Sequence, residues 1–228
     1  KLIARQVAAQ MDLTASFLPK PVANVNGNGC HTNMSIAKKG KNLFYDKKGQ
    51  DGLSTFAWSF INRILANGND ICLILNSSVN SYRRLDPHFE APNQIKVSPS
   101  DRGSMIRIPI GNERTARIEV RSIAPDANPY LAIYSLFKTG LEGPGNGDDN
   151  DGKRQRTRFL PDNIYDAIRL FKGSKFAQEL LGETVHEKYA ELKLASAERC
   201  AKALGARVKR SEIQFHHEVT NQYLWGQF

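Results

Sequence analysis

The sequence predicts an α+β fold. Three observations carry that expectation: short segments in which polar and apolar residues alternate, segments with apolar residues at helical spacing, and a helical pattern that dominates the last part of the chain. In order, residues 1–19 read as the end of a helix, with Leu2, Ile3, Val7 and Met11 on one face, followed by a short strand at 15–18. A glycine-rich turn, Asn26-Gly27-Asn28-Gly29, leads into an alternating strand at 30–36. Residues 38–50 form a basic, Gly-containing loop that reads as a hairpin tip. An amphipathic helix fits 53–67, with Phe56, Phe60, Ile64 and Leu65 at helical spacing. Strand-like segments follow at 94–98, 105–110 and 117–121, then a helix at 128–141 with Pro129 in its first turn. Residues 143–158 contain no apolar side chain and read as an exposed loop. From 164 to 204 the pattern is helical, broken by Gly173 and Gly182. The tail from 211 carries Tyr223, Trp225 and Phe228, an aromatic cluster expected to dock on this subunit or a neighbour.

Bulk properties bound the function. A chain of 228 residues suits one large domain, or one domain with a small appendage. Apolar runs such as Ile71-Cys72-Leu73-Ile74-Leu75 are too short to span a bilayer, and the first residues lack a signal-peptide pattern. Lys1 stands where an initiator Met would, so a fragment or processed form is expected. Cys30, Cys72 and Cys200 are odd in number with no CxxC spacing, which favours free thiols and a cytoplasmic setting. The net charge of +9 fits nucleic acid, acidic lipid or small anionic substrates. Its distribution argues against nucleic acid: the densest basic segments, 38–48 and 153–158, are loops, and only the first holds aromatics, Phe44 and Tyr45.

The chemistry-bearing residues lie on the strands and turns. In Arg117-Ile118-Glu119-Val120-Arg121, alternation puts Arg117, Glu119 and Arg121 on one face. Such a face can bind a metal with its anionic ligands; it can equally be a solvated face with a surface ion pair. Arg102 and Arg107 lie just upstream, and Arg83 and Arg84 fall in a loop-like segment. Arginine holds carboxylate and phosphate in fixed bidentate geometry, although most arginines are simply surface residues. His31 follows the glycine turn and reads either as a metal ligand or as a structural imidazole. Gly27 and Gly29 permit close backbone approach to a ligand. His186, His216 and His217 read as structural. Glu90, held between Phe89 and Ala91-Pro92, suits a general base or an ammonium site, or is an ordinary exposed Glu.

Taken together these segments resemble the glutamine synthetase family, in its bacterial-type form, over most of the chain and in order. Lys20-Pro21-Val22 with Asn26-Gly27-Asn28-Gly29-Cys30-His31 and Ser35 looks like the family's ATP-region signature. Asn80-Ser81-Tyr82-Arg83-Arg84-Leu85 through Glu90-Ala91-Pro92 is similar to its glutamate-binding flap. The stretch from Arg102 to Pro109, then 117–121, then Asp126-Ala127-Asn128-Pro129-Tyr130-Leu131 match later blocks. The resemblance implies a curved antiparallel sheet backed by helices, with which the alternating strands agree. It assigns 1–142 to the C-terminal portion of the catalytic domain, 143–158 to an exposed loop, and 159–228 to a helical region of the same domain.

The implied reaction is ATP-dependent ligation of glutamate with ammonia through a γ-glutamyl phosphate. By resemblance, His31 and Glu119 would bind Mg²⁺ or Mn²⁺, Arg107 and Arg117 would contact ATP phosphates, and Ser35 would lie nearer the nucleotide. Arg84 and Arg121 would hold the carboxylate end of glutamate with Asn26 and Gly27. Arg102 would stabilise the phosphoryl group in flight, and Glu90 would close the site and take a proton from ammonium. The residue types suit the chemistry, because phosphoryl transfer depends on positioning and on neutralising charge.

The resemblance also implies a missing part: an N-terminal β-grasp domain and further metal-binding glutamates would precede Lys1. The chain alone is therefore expected to be a truncated product, weak or inactive. Asn163-Ile164-Tyr165 resembles a tyrosine adenylylated in some bacterial members, but Pro161 and Asp162 depart from that pattern, so Tyr165 is read as structural. Homo-oligomeric stacked rings, a dodecamer at full length, are expected, with 218–228 reaching across. No membrane or nucleic-acid partner is expected. The alternatives are a γ-glutamyl-amine or polyamine ligase, and a non-catalytic assembly or regulatory subunit on the same fold.

Overall fold

The computed structural model describes residues 1–22, 24–86, 91–145 and 158–198. Helix α1 (Leu2–Gln10) is followed by a run without regular structure. The strand expected at 15–18 does not form. Leu18 is buried, but its carbonyl accepts from the Asn28 side chain at 3.0 Å and Pro19 accepts the Asn28 amide at 2.6 Å, so turn contacts take the place of a ladder. Strand β1 (Thr32–Met34) comes next, then a hairpin of β2 (Ala37–Lys38) and β3 (Lys41–Asn42). Its tip, Lys39-Gly40, has both φ angles positive (+50° and +77°), the geometry a two-residue hairpin favours.

Helix α2 (Thr55–Ala66) starts at Ser54, whose side chain accepts from the Ala57 amide. It buries Ala57, Phe60, Ile61 and Ile64, whereas Phe56 stays exposed and meets the edge of Phe44. Two short helices follow, α3 (Cys72–Leu75) and α4 (Val79–Arg84). Thus Arg83 and Arg84, expected in a loop, end a helix. A Ser78–Ser81 capping box starts it, with serine at the position where the familiar pattern has Glu or Gln.

Strands β4 (Gln94–Ser98), β5 (Ser104–Arg107) and β6 (Ile118–Val120) complete a sheet of order β1-β6-β5-β4 among the described residues. The expected antiparallel pairing holds for β1–β6 and β6–β5, but β4 joins β5 in parallel, so the sheet is mixed. The cause lies in residues 99–103. Ser98 Oγ accepts from the Ser100 and Asp101 amides, and Asp101 accepts from the Gly103 amide at 2.7 Å. With these turns the chain runs back along β4, so that Ser104 starts β5 beside Gln94 and β5 points the same way as β4, a direction that alternation does not encode.

Helix α5 (Pro129–Glu142) is capped by Asn128 and lies against α2, where a Cβ on Gly140 would fall 2.3 Å from the Phe60 ring. Helices α6 (Ile164–Gly173), α7 (Lys175–Leu181) and α8 (Glu183–Glu198) contribute Ile164, Ile168, Phe171, Leu180, Ala190 and Ala197 to the same core as the sheet. Residues 158–160 bond along β4, through Ile95 to Arg158 and Leu160 to Asn93, and so cover that sheet edge. His186 behaves as expected, buried, stacked on Phe171 and bonded to its carbonyl at 2.8 Å. Tyr165 is 53% exposed in the first turn of α6. No described helix is long and apolar enough to cross a membrane.

Candidate active site

The site is organised by β6. Ile118 and Val120 are fully buried in the core, so the alternation sends Arg117, Glu119 and Arg121 to the other face. Register then places Glu119 opposite Asn33 on β1 and opposite Arg107 on β5. Glu119 is 7% exposed, and both its oxygens are engaged: Oε1 lies 2.9 Å from His31 Nδ1, and Oε2 accepts from Arg107 Nε at 2.5 Å. Arg117 donates to Asn33 Oδ1 at 2.9 Å and to the Thr115 carbonyl at 3.1 Å. The ion pair at Glu119 is therefore buried on the carboxylate side, not a solvated surface pair.

A carboxylate oxygen can only accept, so His31 Nδ1 carries the proton and Nε2 keeps its lone pair. Partial desolvation of the ring lowers the His31 pKa from 6.5, and repulsion from Arg121 and Arg84 adds to this, partly offset by Glu119. A neutral imidazole oriented by a carboxylate is the usual state of a metal-ligating histidine. His31 and Glu119 thus fit part of a Mg²⁺ or Mn²⁺ shell, as a nitrogen donor and a carboxylate. Among the described residues no group of three or more His, Cys, Asp or Glu could hold a metal, and hard divalent ions take about six ligands.

Beside this cluster lies a pocket of about 180 Å³ lined by Asn26, Gly27, Gly29, His31, Arg84 and Arg121, with Ala91 and Pro92 also on its wall. The glycines are required by close approach. A Cβ on Gly27 would fall 2.5 Å from the Pro19 carbonyl, and one on Gly29 would fall 2.6 Å from His31 Nε2 and 2.7 Å from Arg84 Nη2. Arg84 is 6% exposed. Its Nη2 donates to the Arg121 carbonyl at 2.8 Å, while the buried Nη1 has no hydrogen-bond partner. Burial, then repulsion from Arg121, pulls its pKa down to about 10, with Asp126 acting in the opposite direction. A buried guanidinium next to a second cation, with a donor left over, is arranged to receive an anion.

Helix α4 is fixed from two sides. Ser81 Oγ donates to the half-buried Asp126 carboxylate at 3.1 Å, and Asn80 pairs with the backbone of Lys20. Asn80 was not singled out in the sequence. The available signal was its place four residues before Arg84, on the same helical face.

Not all the expected residues converge on this pocket. Arg107 and Arg117 belong to the Glu119 cluster, with Arg107 bonded to Glu119 and Arg117 to Asn33. Arg102 is exposed in the β4–β5 connection, and Ser35 is exposed just after β1. Glu90, most of the 143–158 loop, His216, His217 and the aromatic tail lie outside the described residues.

Comparison with known proteins identifies the family. Residues 1–216 match the family model for the glutamine synthetase catalytic domain. A glutamine synthetase of Clostridium saccharobutylicum is 35% identical over 209 residues, covering 86% of this chain and 47% of the relative. One of Methanosarcina mazei is 39% identical over 203 residues, covering 83% and 45%. A solved structure of apo GmaS without ligand superposes with a TM-score of 0.71 at 32% identity, covering 86% of this chain and 47% of that one. The chain thus spans about half the length of the relatives it matches, as their C-terminal part. It belongs to the glutamine synthetase family, within the catalytic domain.

Proposed function

We propose that this chain is the cation-rich part of a glutamate–ammonia ligase, which makes glutamine through a γ-glutamyl phosphate. The observation that carries the reading is Arg84: a guanidinium buried beside Arg121, with Nη1 unpartnered, in a pocket that Gly27 and Gly29 also line. The α-carboxylate of glutamate would supply the missing charge, bonded by Arg84 and Arg121 with Asn26 and Gly27 alongside. On the adjoining strand face, Arg107 and Arg117 would meet phosphate oxygens, and Glu119 with His31 Nε2 would contribute to the metal shell. ATP bound with Mg²⁺ or Mn²⁺ supplies the phosphoryl group that activates an otherwise unreactive γ-carboxylate. Arg102 would stabilise that group in transfer, and Glu90 would accept a proton from ammonium.

The test uses the full-length protein with glutamate, ATP and ammonium, and compares putrescine as the amine. Glutamine formation, with glutamate-dependent release of ADP, supports the reading. A clear preference for putrescine would instead identify a γ-glutamyl-amine ligase. Absence of glutamate-dependent ADP release under both conditions would leave a non-catalytic subunit. The 228-residue chain by itself is expected to yield no detectable glutamine, because its described residues hold a metal-binding pair and not a full shell.

A further inference from the structure

The geometry points to Asn80 as the residue that sets the width of the anion pocket. Asn80 is 3% exposed and uses its amide in both directions: Oδ1 accepts from the Lys20 amide at 2.6 Å, and Nδ2 donates to the Lys20 carbonyl at 2.9 Å. One side chain therefore imitates a strand partner for one residue of a segment that has no strand of its own. That segment is continuous with the pocket wall, since the Asn28 amide and side chain bond to Pro19 and Leu18 and a Cβ on Gly27 would strike the Pro19 carbonyl. On the other side, Asn80 and Arg84 stand four residues apart on α4, so they share a face. The Arg84 Cγ would lie 3.1 Å from a Gly27 Cβ, close enough that small movements of the segment against α4 change the pocket. Asn80 thus ties the wall that carries Asn26, Gly27 and Gly29 to the helix that carries the cation. It touches no ligand in this arrangement; it is a positioning residue.

This inference rests on the reading of Arg84 as the carboxylate-binding cation, and the experiment separates the two. In the full-length protein, Asn80→Ala is expected to raise the KM for glutamate roughly 10- to 100-fold, as a misplaced binding group does. The KM for ATP should change by no more than about twofold. Ser174→Ala, which removes the N-cap of α7 away from the pocket, supplies a destabilised control that leaves both constants unchanged. If Asn80→Ala lowers the thermal midpoint as that control does, yet keeps the parental KM for glutamate while Arg84→Ala loses binding, Asn80 is merely structural and the inference fails alone. If Arg84→Ala also keeps the parental KM, the reading of the pocket fails with it. Should Asn80→Ala not fold, Asn80→Asp keeps the acceptor for the Lys20 amide and loses the donor to its carbonyl. An intermediate rise in the glutamate KM then supports the inference, and a parental value overturns it.

Discussion

On the sheet, Glu119 answers two partners at once, accepting from Arg107 with one oxygen and from His31 with the other. In the pocket that shares His31, Arg84 is buried beside Arg121 and keeps a donor without a hydrogen-bond partner. The first region satisfies most of its charge internally and gains geometry from it. The second carries desolvated positive charge that only an anion can compensate. A folded protein tolerates the second arrangement at a cost in stability, which is recovered when ligand binds. That contrast separates residues that hold the site together from residues that act on substrate.

The largest expected effect breaks the pocket. Arg84→Ala should lower kcat/KM for glutamate by about 100- to 1000-fold, the usual loss when an aligned charged donor is removed. Its thermal midpoint should stay level or rise, because the substitution removes a buried charge that repels Arg121 and leaves Nη1 without a hydrogen-bond partner. A marked drop in the midpoint with activity retained would place Arg84 in the structural group with Arg107, and the contrast would collapse.

Gly27→Ala probes the wall instead of the cation. Its Cβ would meet the Pro19 carbonyl, a backbone atom that cannot swing aside, so the segment itself must move. Overpacking of this kind costs about 1–3 kcal/mol. A urea titration should show that loss, with a raised KM for glutamate. Gly29 faces only the ends of the His31 and Arg84 side chains, which can rotate away. Gly29→Ala should therefore cost less stability than Gly27→Ala, and the opposite order would contradict the placement of the turn.

The same division explains what could be read from sequence. Arg117, Glu119 and Arg121 were legible because β6 is central, and burial of Ile118 and Val120 enforces a two-residue period. Segment 94–98 was legible because Ile95 and Val97, two residues apart, both pack on the core. The segment 15–18 misled because alternation over so few residues does not show whether backbone groups find a ladder, and here Asn28 takes the carbonyls of Leu18 and Pro19. Helix α4 was hidden by serine at the third position of its capping box. The Asn80–Lys20 pairing, and the parallel arrangement of β4 on β5, depend on contacts between separate segments that no local pattern records. Family resemblance named the arginines, but it took the packing to show that Arg84 and Arg121 line one pocket while Arg107 is committed to Glu119.

The smallest expected effect measures the coupling between the two regions through His31. Burial and the charges of Arg121 and Arg84 lower its folded pKa below the ordinary 6.5, against the pull of Glu119. As pH falls through 6.5 the unfolded chain takes up this proton before the folded chain does, so stability declines with falling pH. The contribution is complete above 6.5 and diminishes towards the folded pKa. Denaturation midpoints at pH of about 7.5 and 5.5 should therefore differ less in His31→Gln than in the parent. Filling the pocket with glutamate should raise the His31 pKa, because the added carboxylate offsets the two arginines that oppose protonation. The imidazole Cε1–H resonance, followed through a pH titration with and without glutamate, reads this directly. A midpoint at or above 6.5 in the unliganded chain would mean that Glu119 outweighs burial and the arginines together. His31 would then belong wholly to the sheet cluster, and the pocket would lose its link to the metal-binding pair.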